Sequence, residues 1–426
     1  MINLWYDNVL SNIIVNNLLS YEDIINSYGI YKRKEFHLDE FNPLQFQVNL
    51  PKLLKSLEID FKINLSASLP YTGIDKDEKN FFPIEIKYFK KSKDIAKILT
   101  QNSFFYNWIV RSNAELLMWY PQEGFFTKEC NFFDILQEKF PKTNLRYISG
   151  NLLTPDWVSK KTNFIYKSFD FFWYDTQKKI KPDLNLDRVE EYEFTLYNRR
   201  YKIHRAVPYF SLLQQGKSDK AKHSFAGVNN FTDDKFKEFS MSNFIEDFKK
   251  EDEQYSGKGS AEFQQLLHSQ EFINWSTNKI LNVNFFPAST ENIFDINNLH
   301  KESFLDVVIE TWACNRPKHL FITEKTYRSI ACGNIFLIFG NPGTLKYLKQ
   351  QGIETFDDIF DESYDSEEIK HWFDRWKIIE KNLDIWHSLG KDGRRDYYFK
   401  NFKKIEHNYN VFFNRNFKKD VEDLFL

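Results

Sequence analysis

Apolar and polar positions fall in blocks along the chain, and the blocks sort into the strands and helices of two α/β layers. ELLMWY (115–120) reads as a buried strand with PQEGF as its exit loop, and LRYISG (145–150) reads as the next strand. TQKKIKPDLNLDR (176–188) is polar, contains a proline and has the composition of a linker. The pattern then restarts. EEYEFTLYN (190–198) is a strand, NRRYKIHR its exit, and IHRAVPYFSLLQQG shows helical spacing ending at Gly216, with Pro208 suggesting a late helix start. HSFAGV (223–228) has the form of a further strand.

From residue 304 the signal sharpens. FLDVVIET reads as a strand, and TEKTYRSIACG as a helix capped by Thr323 and closed at Gly333. IFLIF is five consecutive apolar residues, as expected of a parallel strand covered on both faces. In GNPGTLKYLKQQG, Asn341 is placed as N-cap, with Pro342 at the first helical position. Strand, helix, strand, helix defines a doubly wound layer. The expected organisation is an α/β chain with two Rossmann-like domains facing a cleft. Residues 1–185 form an N-terminal, acceptor-side domain. Residues 186–370 form a C-terminal nucleotide-binding domain with a helical insertion at about 229–300, and 371–426 a helical tail packing back on both.

Composition changes this picture little. Charged residues are 28%, hydrophobic ones 42%, and the formal net charge of −2 excludes bulk attraction to polyanions while allowing local basic patches. The 44 Phe fit the codon usage of an AT-rich coding sequence as readily as any function. Cys130, Cys314 and Cys332 form no C-x-x-C pair and are expected to be free thiols in a reducing cytoplasm. No apolar run is long enough for a membrane span, and no signal peptide is evident at the N-terminus.

Ligands of open α/β sheets bind outside the carboxyl ends of the strands, which selects four loops. In TEK, Lys325 stands in the first turn of a helix, where the macrodipole disfavours a cation unless an anion binds there. Glu324 suits hydrogen bonds from a ribose diol. The structural alternative is that Glu324 complements the dipole and pairs with Arg328 at i,i+4, while Lys325 points into water. In NRRYKIHR, Arg199, Arg200, Lys202, His204 and Arg205 crowd one strand exit. Arginine suits bidentate phosphate contact, and a solvated basic loop is the other reading. Asn341 and Gly343 of GNPG would let a backbone approach a ligand at a second helix start, or simply make a turn. Glu123 in PQEGF is a candidate general base, or a carboxylate with no such role. Asp75-Lys76-Asp77 has the D-x-D form of metal-dependent sugar transferases but follows the loop-like SLPYTGI, and His204 and His223 lack metal-ligand spacing. The absence of GxxxxGK[ST] and G-x-G-x-x-G argues against a triphosphatase or dehydrogenase.

VVIETWACNRPKHLFITEKTYRSIACGNIFLIFG resembles the donor-binding motif of GT-B glycosyltransferases, most closely that of fucosyltransferases. It is also similar to bacterial and phage transferases carrying an Asn-Arg-Arg run, a later His-Arg and an Asp-Glu-Ser-Tyr-Asp segment. Here these are Asn198 to Arg200, His204-Arg205 and 361–365. The resemblance spans roughly 194–216 and 304–365. It implies transfer of a sugar from a nucleotide-diphosphate sugar to an acceptor hydroxyl, with Thr323 opening the helix, Glu324 on the ribose and Lys325 on the diphosphate. It also implies Arg199 or Arg205, with Arg200 nearby, on the phosphates. No metal is needed in such a transfer, and no cofactor is expected beyond the donor. The span between the arginine loop and TEK is much longer than in fucosyltransferases, and the first domain matches no family. The acceptor is thus a glycan or, alternatively, a modified base in phage DNA. A non-catalytic nucleotide-binding protein is the third reading.

Overall fold

The computed structural model describes residues 2–6, 50–65, 79–85, 114–122, 129–179, 184, 188–198, 202–225, 257–277 and 300–426. Glu123, Arg199, Arg200, the 75–77 segment and most of the 229–300 insertion lie outside the described residues, as does the side chain of Cys130. The chain divides into two compact units, Met1–Phe171 together with Asn416–Leu426, and Phe172–Arg415. Each carries one parallel sheet, so the α/β layering expected from the sequence is present.

In the first unit six strands run in the order β2-β1-β3-β4-β5-β6. They are β1 Ile2–Tyr6, β2 Phe61–Leu65, β3 Lys79–Glu85, β4 Glu115–Tyr120, β5 Leu145–Ser149 and β6 Phe164–Ser168. All neighbours are parallel. β4 and β5 fall where the apolar runs placed them, and they are buried nearly throughout, as both-face coverage requires. Helices α1 Leu50–Ser56 and α2 Glu129–Lys139 belong to this unit.

In the second unit four parallel strands run in the order β10-β9-β7-β8: β7 Phe194–Asn198, β8 Ala221–Phe225, β9 Leu305–Ile309 and β10 Ile335–Phe339. The chain passes from β7 to β8 on one side, then returns to lay β9 and β10 on the other. The order therefore reverses between β7 and β9. Ligands of doubly wound sheets bind outside the carboxyl ends of the strands at such a point.

One element differs from the sequence reading. The 176–188 linker begins as helix, because α3 spans Phe171–Lys179 and buries Trp173, Tyr174 and Thr176. Trp173 stacks on Phe412 with ring centroids 5.4 Å apart, and its Nε1 donates to the Phe412 carbonyl at 3.0 Å. These long-range contacts hold α3 in the second unit. The helices of the 371–426 segment are shared between the units. Helices α9 Trp372–Ser388, α10 Gly390–Lys400 and α11 Phe402–Asn414 belong to the second unit, whereas α12 Phe417–Leu424 belongs to the first. There Arg146 Nη1 donates to the Leu424 carbonyl at 2.7 Å, and Phe425 packs on Phe81.

The remaining helices are α4 Ile203–Gln214, α5 Ala261–His268, α6 Gln270–Thr277, α7 Glu324–Ala331 and α8 Thr344–Gln350. α4 starts at Ile203 with Pro208 inside it, not after Pro208. Ten consecutive residues, Ile203 to Leu212, are buried, and that burial overrides the local cost of the proline. Among the described residues no helix is long and apolar enough to cross a membrane.

Candidate functional site

Three segments meet at the switch point. The first follows β7. Lys202 precedes α4 in extended conformation (φ −148°, ψ 147°), and its Nζ donates to the Thr311 carbonyl at 2.8 Å. The same ammonium lies 3.8 Å from the centroid of the Trp312 ring, and the Arg316 guanidinium lies 5.0 Å from it, so two cations share one indole. His204 and Arg205 are buried in the first turn of α4. His204 Nε2 stands 3.3 Å from the Glu310 carbonyl, and Arg205 Nη2 donates to that carbonyl at 3.1 Å.

The second segment follows β9 and begins with Glu310, which is 0% exposed. Its Oε1 accepts from the Thr323 amide at 3.0 Å and from Thr326 Oγ1 at 2.6 Å. Its Oε2 accepts from Thr323 Oγ1 at 2.6 Å and from the Thr311 amide at 3.1 Å. The third segment is the start of α7. Thr323 is its N-cap, extended at φ −119°, and its hydroxyl oxygen accepts from the Lys325 amide at 3.5 Å.

Lys325 does not point into water. Its Nζ donates to Thr323 Oγ1 at 3.0 Å and to Glu324 Oε1 at 2.8 Å, and the lysine side chain is 22% exposed. Glu324 takes Lys325 as its hydrogen-bond partner rather than Arg328. Burial pushes the Glu324 carboxyl up, but the charges of Lys325 and Arg328 and the hydrogen bond outweigh burial and hold it at about 2. The carboxylate is thus ionised at every physiological pH.

Two buried histidines report the local potential. Burial first, then the charges of Lys202 and Arg205, hold His204 well below the usual imidazole range. Burial, Arg316 and Lys202 push His319 down to about 3. Both rings are neutral, and the fixed positive charge at this strand end sits on Lys202, Arg205, Arg316 and Lys325.

The second expected anion site is filled from within the protein. α8 starts at Thr344, with Gly343 before it in the left-handed region (φ +85°). Asn341 is therefore not its N-cap. The buried Asn341 amide closes two loops instead, accepting from the Phe321 amide at 3.2 Å and donating to the Cys314 carbonyl at 2.9 Å. The free amides of Leu345 and Lys346 donate to Asp365 Oδ2 at 3.0 and 3.2 Å. A carboxylate from DESYD thus occupies the place expected for a phosphate oxygen. Burial pushes Asp365 up to about 6. A cavity of about 570 Å³ lies beside α8, and its lining Lys349 pairs with Asp357 at 3.0 Å and with Glu362 at 2.8 Å.

Of the residues selected from sequence, the structure brings Thr323, Glu324, Lys325 and Arg205 to one strand end. Asn341 and Gly343 shape the adjoining loop. Sequence reasoning passed over Glu310, Trp312, Arg316 and His319. The apolar pattern carries the strand through Glu310, and its one sequence signal is its place as the first polar residue after an apolar run at a crossover. The 169–175 aromatic run is core, with Phe169, Trp173 and Tyr174 buried. Cys314 and Cys332 are buried and in no disulfide. Among the described residues no group of three or more His, Cys, Asp or Glu is arranged to hold a metal.

Fold and site together define a two-sheet α/β protein with an electropositive strand-end site. No protein-family model matches the chain, and no curated protein does. Among solved structures, T4 phage BGT in complex with its UDP-glucose substrate is similar at 9% identity and a TM-score of 0.41, covering 99% of this chain and 98% of that one. An alpha1,3-fucosyltransferase is similar at 10% identity and a TM-score of 0.36, covering 97% and 92%. The DNA-modifying enzyme beta-glucosyltransferase, also at 10% identity and 0.36, covers 95% and 100%. What the site can do follows from its own residues.

Proposed function

We propose that the chain is a glycosyltransferase that moves a hexosyl or pentosyl group from a nucleotide-diphosphate sugar to an acceptor hydroxyl. One observation carries this reading: Glu324 and Lys325 open a helix at the switch point of a parallel sheet, on a network that also anchors Arg205 and Lys202. A diphosphate placed there meets the Lys325 ammonium and the positive end of the α7 dipole. The ionised Glu324 suits the paired hydroxyls of a ribose, as an acceptor that cannot donate.

In the transfer, the bond from the sugar's anomeric carbon to the diphosphate breaks as the acceptor oxygen bonds to that carbon. The departing diphosphate gains negative charge. Lys325, Arg205 and the helix amides stabilise that charge, which lowers the barrier without a metal. The acceptor's proton goes to a carboxylate of the first unit, for which Glu123 is the candidate. A glycan hydroxyl and a hydroxylated DNA base are the two acceptors this reading admits.

The test is nucleoside diphosphate release from a panel of uridine, guanosine and thymidine diphosphate sugars, by the full chain and by Lys325→Ala. Release by the wild type that Lys325→Ala abolishes supports the transferase. If the wild type releases none and its melting temperature moves with no donor, the reading fails.

A further inference from the structure

The Glu310 carboxyl lies where no solvent reaches it, 0% exposed. Such a group is costly to bury unless its lone pairs are filled. Here they are filled by two amides and two hydroxyls, one from Thr311, two from Thr323 and one from Thr326. Among the described residues no lysine or arginine forms an ion pair with it. Hydrogen-bond donors alone hold it, and they all come from the loop after β9 and the start of α7.

The chemistry of these donors fixes a direction. A carboxylate accepts and cannot donate. The Thr323 hydroxyl, 2.6 Å from Oε2, must point its hydrogen at Glu310. Its oxygen lone pairs are then left for Lys325, whose Nζ lies 3.0 Å away. Lys325 is thus held through a relay in which Glu310 sets the polarity. The same carboxylate grips the Thr323 amide and the Thr326 hydroxyl, so it orients the whole first turn of α7. Meanwhile the Glu310 main-chain carbonyl accepts from Arg205 across the sheet. The fold leaves room for this. A Cβ on Gly340 would stand 3.4 Å from Glu310 Cγ and 2.9 Å from Thr344 Oγ1, so the backbone passes here only as glycine.

We infer that Glu310 is the positioning residue of the site: its carboxylate orients Thr323, and through Thr323 the Lys325 ammonium and the α7 amides, toward the bound anion. This rests on the nucleotide-binding reading above. A peg that merely ties loop to helix would need two bonds and no charge. A residue that sets the polarity of a relay needs an acceptor on every side.

The experiment uses the full chain and two readouts. The first needs no ligand: hydrogen exchange over residues 320–328 in wild type, Glu310→Gln, Thr323→Ser and Thr323→Val. Glu310→Gln and Thr323→Val should speed exchange across the start of α7, while Thr323→Ser, which keeps the hydroxyl, should match the wild type. The second is titration with UDP, GDP and TDP. For the diphosphate that binds, Glu310→Gln and Thr323→Val should each weaken affinity by about tenfold or more, Thr323→Ser little. Combining Glu310→Gln with Lys325→Ala should weaken it no further than the worse single change, because both act through one relay. Additive losses, or Glu310→Gln protein with wild-type exchange, would overturn the inference. If Glu310→Gln fails to fold, the Thr323 pair decides by the same criteria. Should the wild type bind none of the three, the nucleotide reading falls, and exchange at Thr323 still decides whether Glu310 orients the helix.

Discussion

The ammonium of Lys325 lies 2.8 Å from Glu324 Oε1, so two neighbours in the first turn of α7 neutralise each other across the helix end. A bound diphosphate would draw Lys325 away and leave Glu324 free for another donor. The site is closed on itself by groups that a ligand can replace in kind. The pair is a third or less exposed, with side chains at 22% and 32%, and so shields its own charges without being sealed.

The Glu324 carboxyl, held at about 2 against an ordinary 4.5, makes stability depend on acid in a defined direction. Its folded value is depressed. Its contribution is therefore present above the unfolded value and is lost as pH falls through roughly 4.5 towards 2. Urea denaturation of wild type and Glu324→Gln should show the wild type more stable at about pH 7, with the gap shrinking below about pH 4.5. A gap that widens in acid would contradict the assignment of Lys325 as partner.

Asp365 shifts the other way, to about 6 from 3.8. The folded state then binds a proton that the unfolded state releases, and stability falls as pH rises from about 4 to about 6. Asp365→Asn keeps an oxygen for the Leu345 and Lys346 amides and has no proton to lose. It should gain on the wild type steadily across that window. Asp365→Ala removes the acceptor and should cost about 0.5–2 kcal/mol, the usual worth of an N-cap. Chemical denaturation at several pH values measures both.

Arg375 is a buried guanidinium that donates to three carbonyls: Ala313 and Gly340, each at 2.8 Å, and Tyr364. It ties together the loops after β9 and β10 and the DESYD turn. Burial lowers it to about 10, so it remains charged near neutrality. Arg375→Ala leaves three buried acceptors without donors and should destabilise by roughly 3–5 kcal/mol. Arg375→Lys cannot reach all three and should recover only part of this. Both values come from urea unfolding of the full chain.

Local signals in the sequence located much of this site. β10 spans Ile335–Phe339, the apolar run itself, and Thr323 caps α7 as its side chain and position require. The misplaced features share one cause, which is distance along the chain. Asn341-Pro342 has the form of a helix start, yet the side chain that caps α8 is Asp365, twenty residues beyond the Leu345 amide it accepts from. Glu310 looked like the end of a strand because its partners Thr323 and Thr326 lie 13 and 16 residues away. The 176–188 stretch has the composition of a linker, but its start is helix because Gln177 donates to the Phe412 carbonyl, 235 residues away. Spacing rules see neighbours within a turn or a pleat, and tertiary partners lie beyond them.

The central claim is that Lys325 and the start of α7 bind a nucleotide's diphosphate, and calorimetric titration of UDP, GDP and TDP into wild type and Lys325→Ala tests it most directly. The expected result is that one of them binds the wild type and binds Lys325→Ala about tenfold to a hundredfold more weakly, the equivalent of roughly 1.5–3 kcal/mol for charge-assisted hydrogen bonds. Equal affinity in the two proteins, or no binding to the wild type by any of the three, would contradict it.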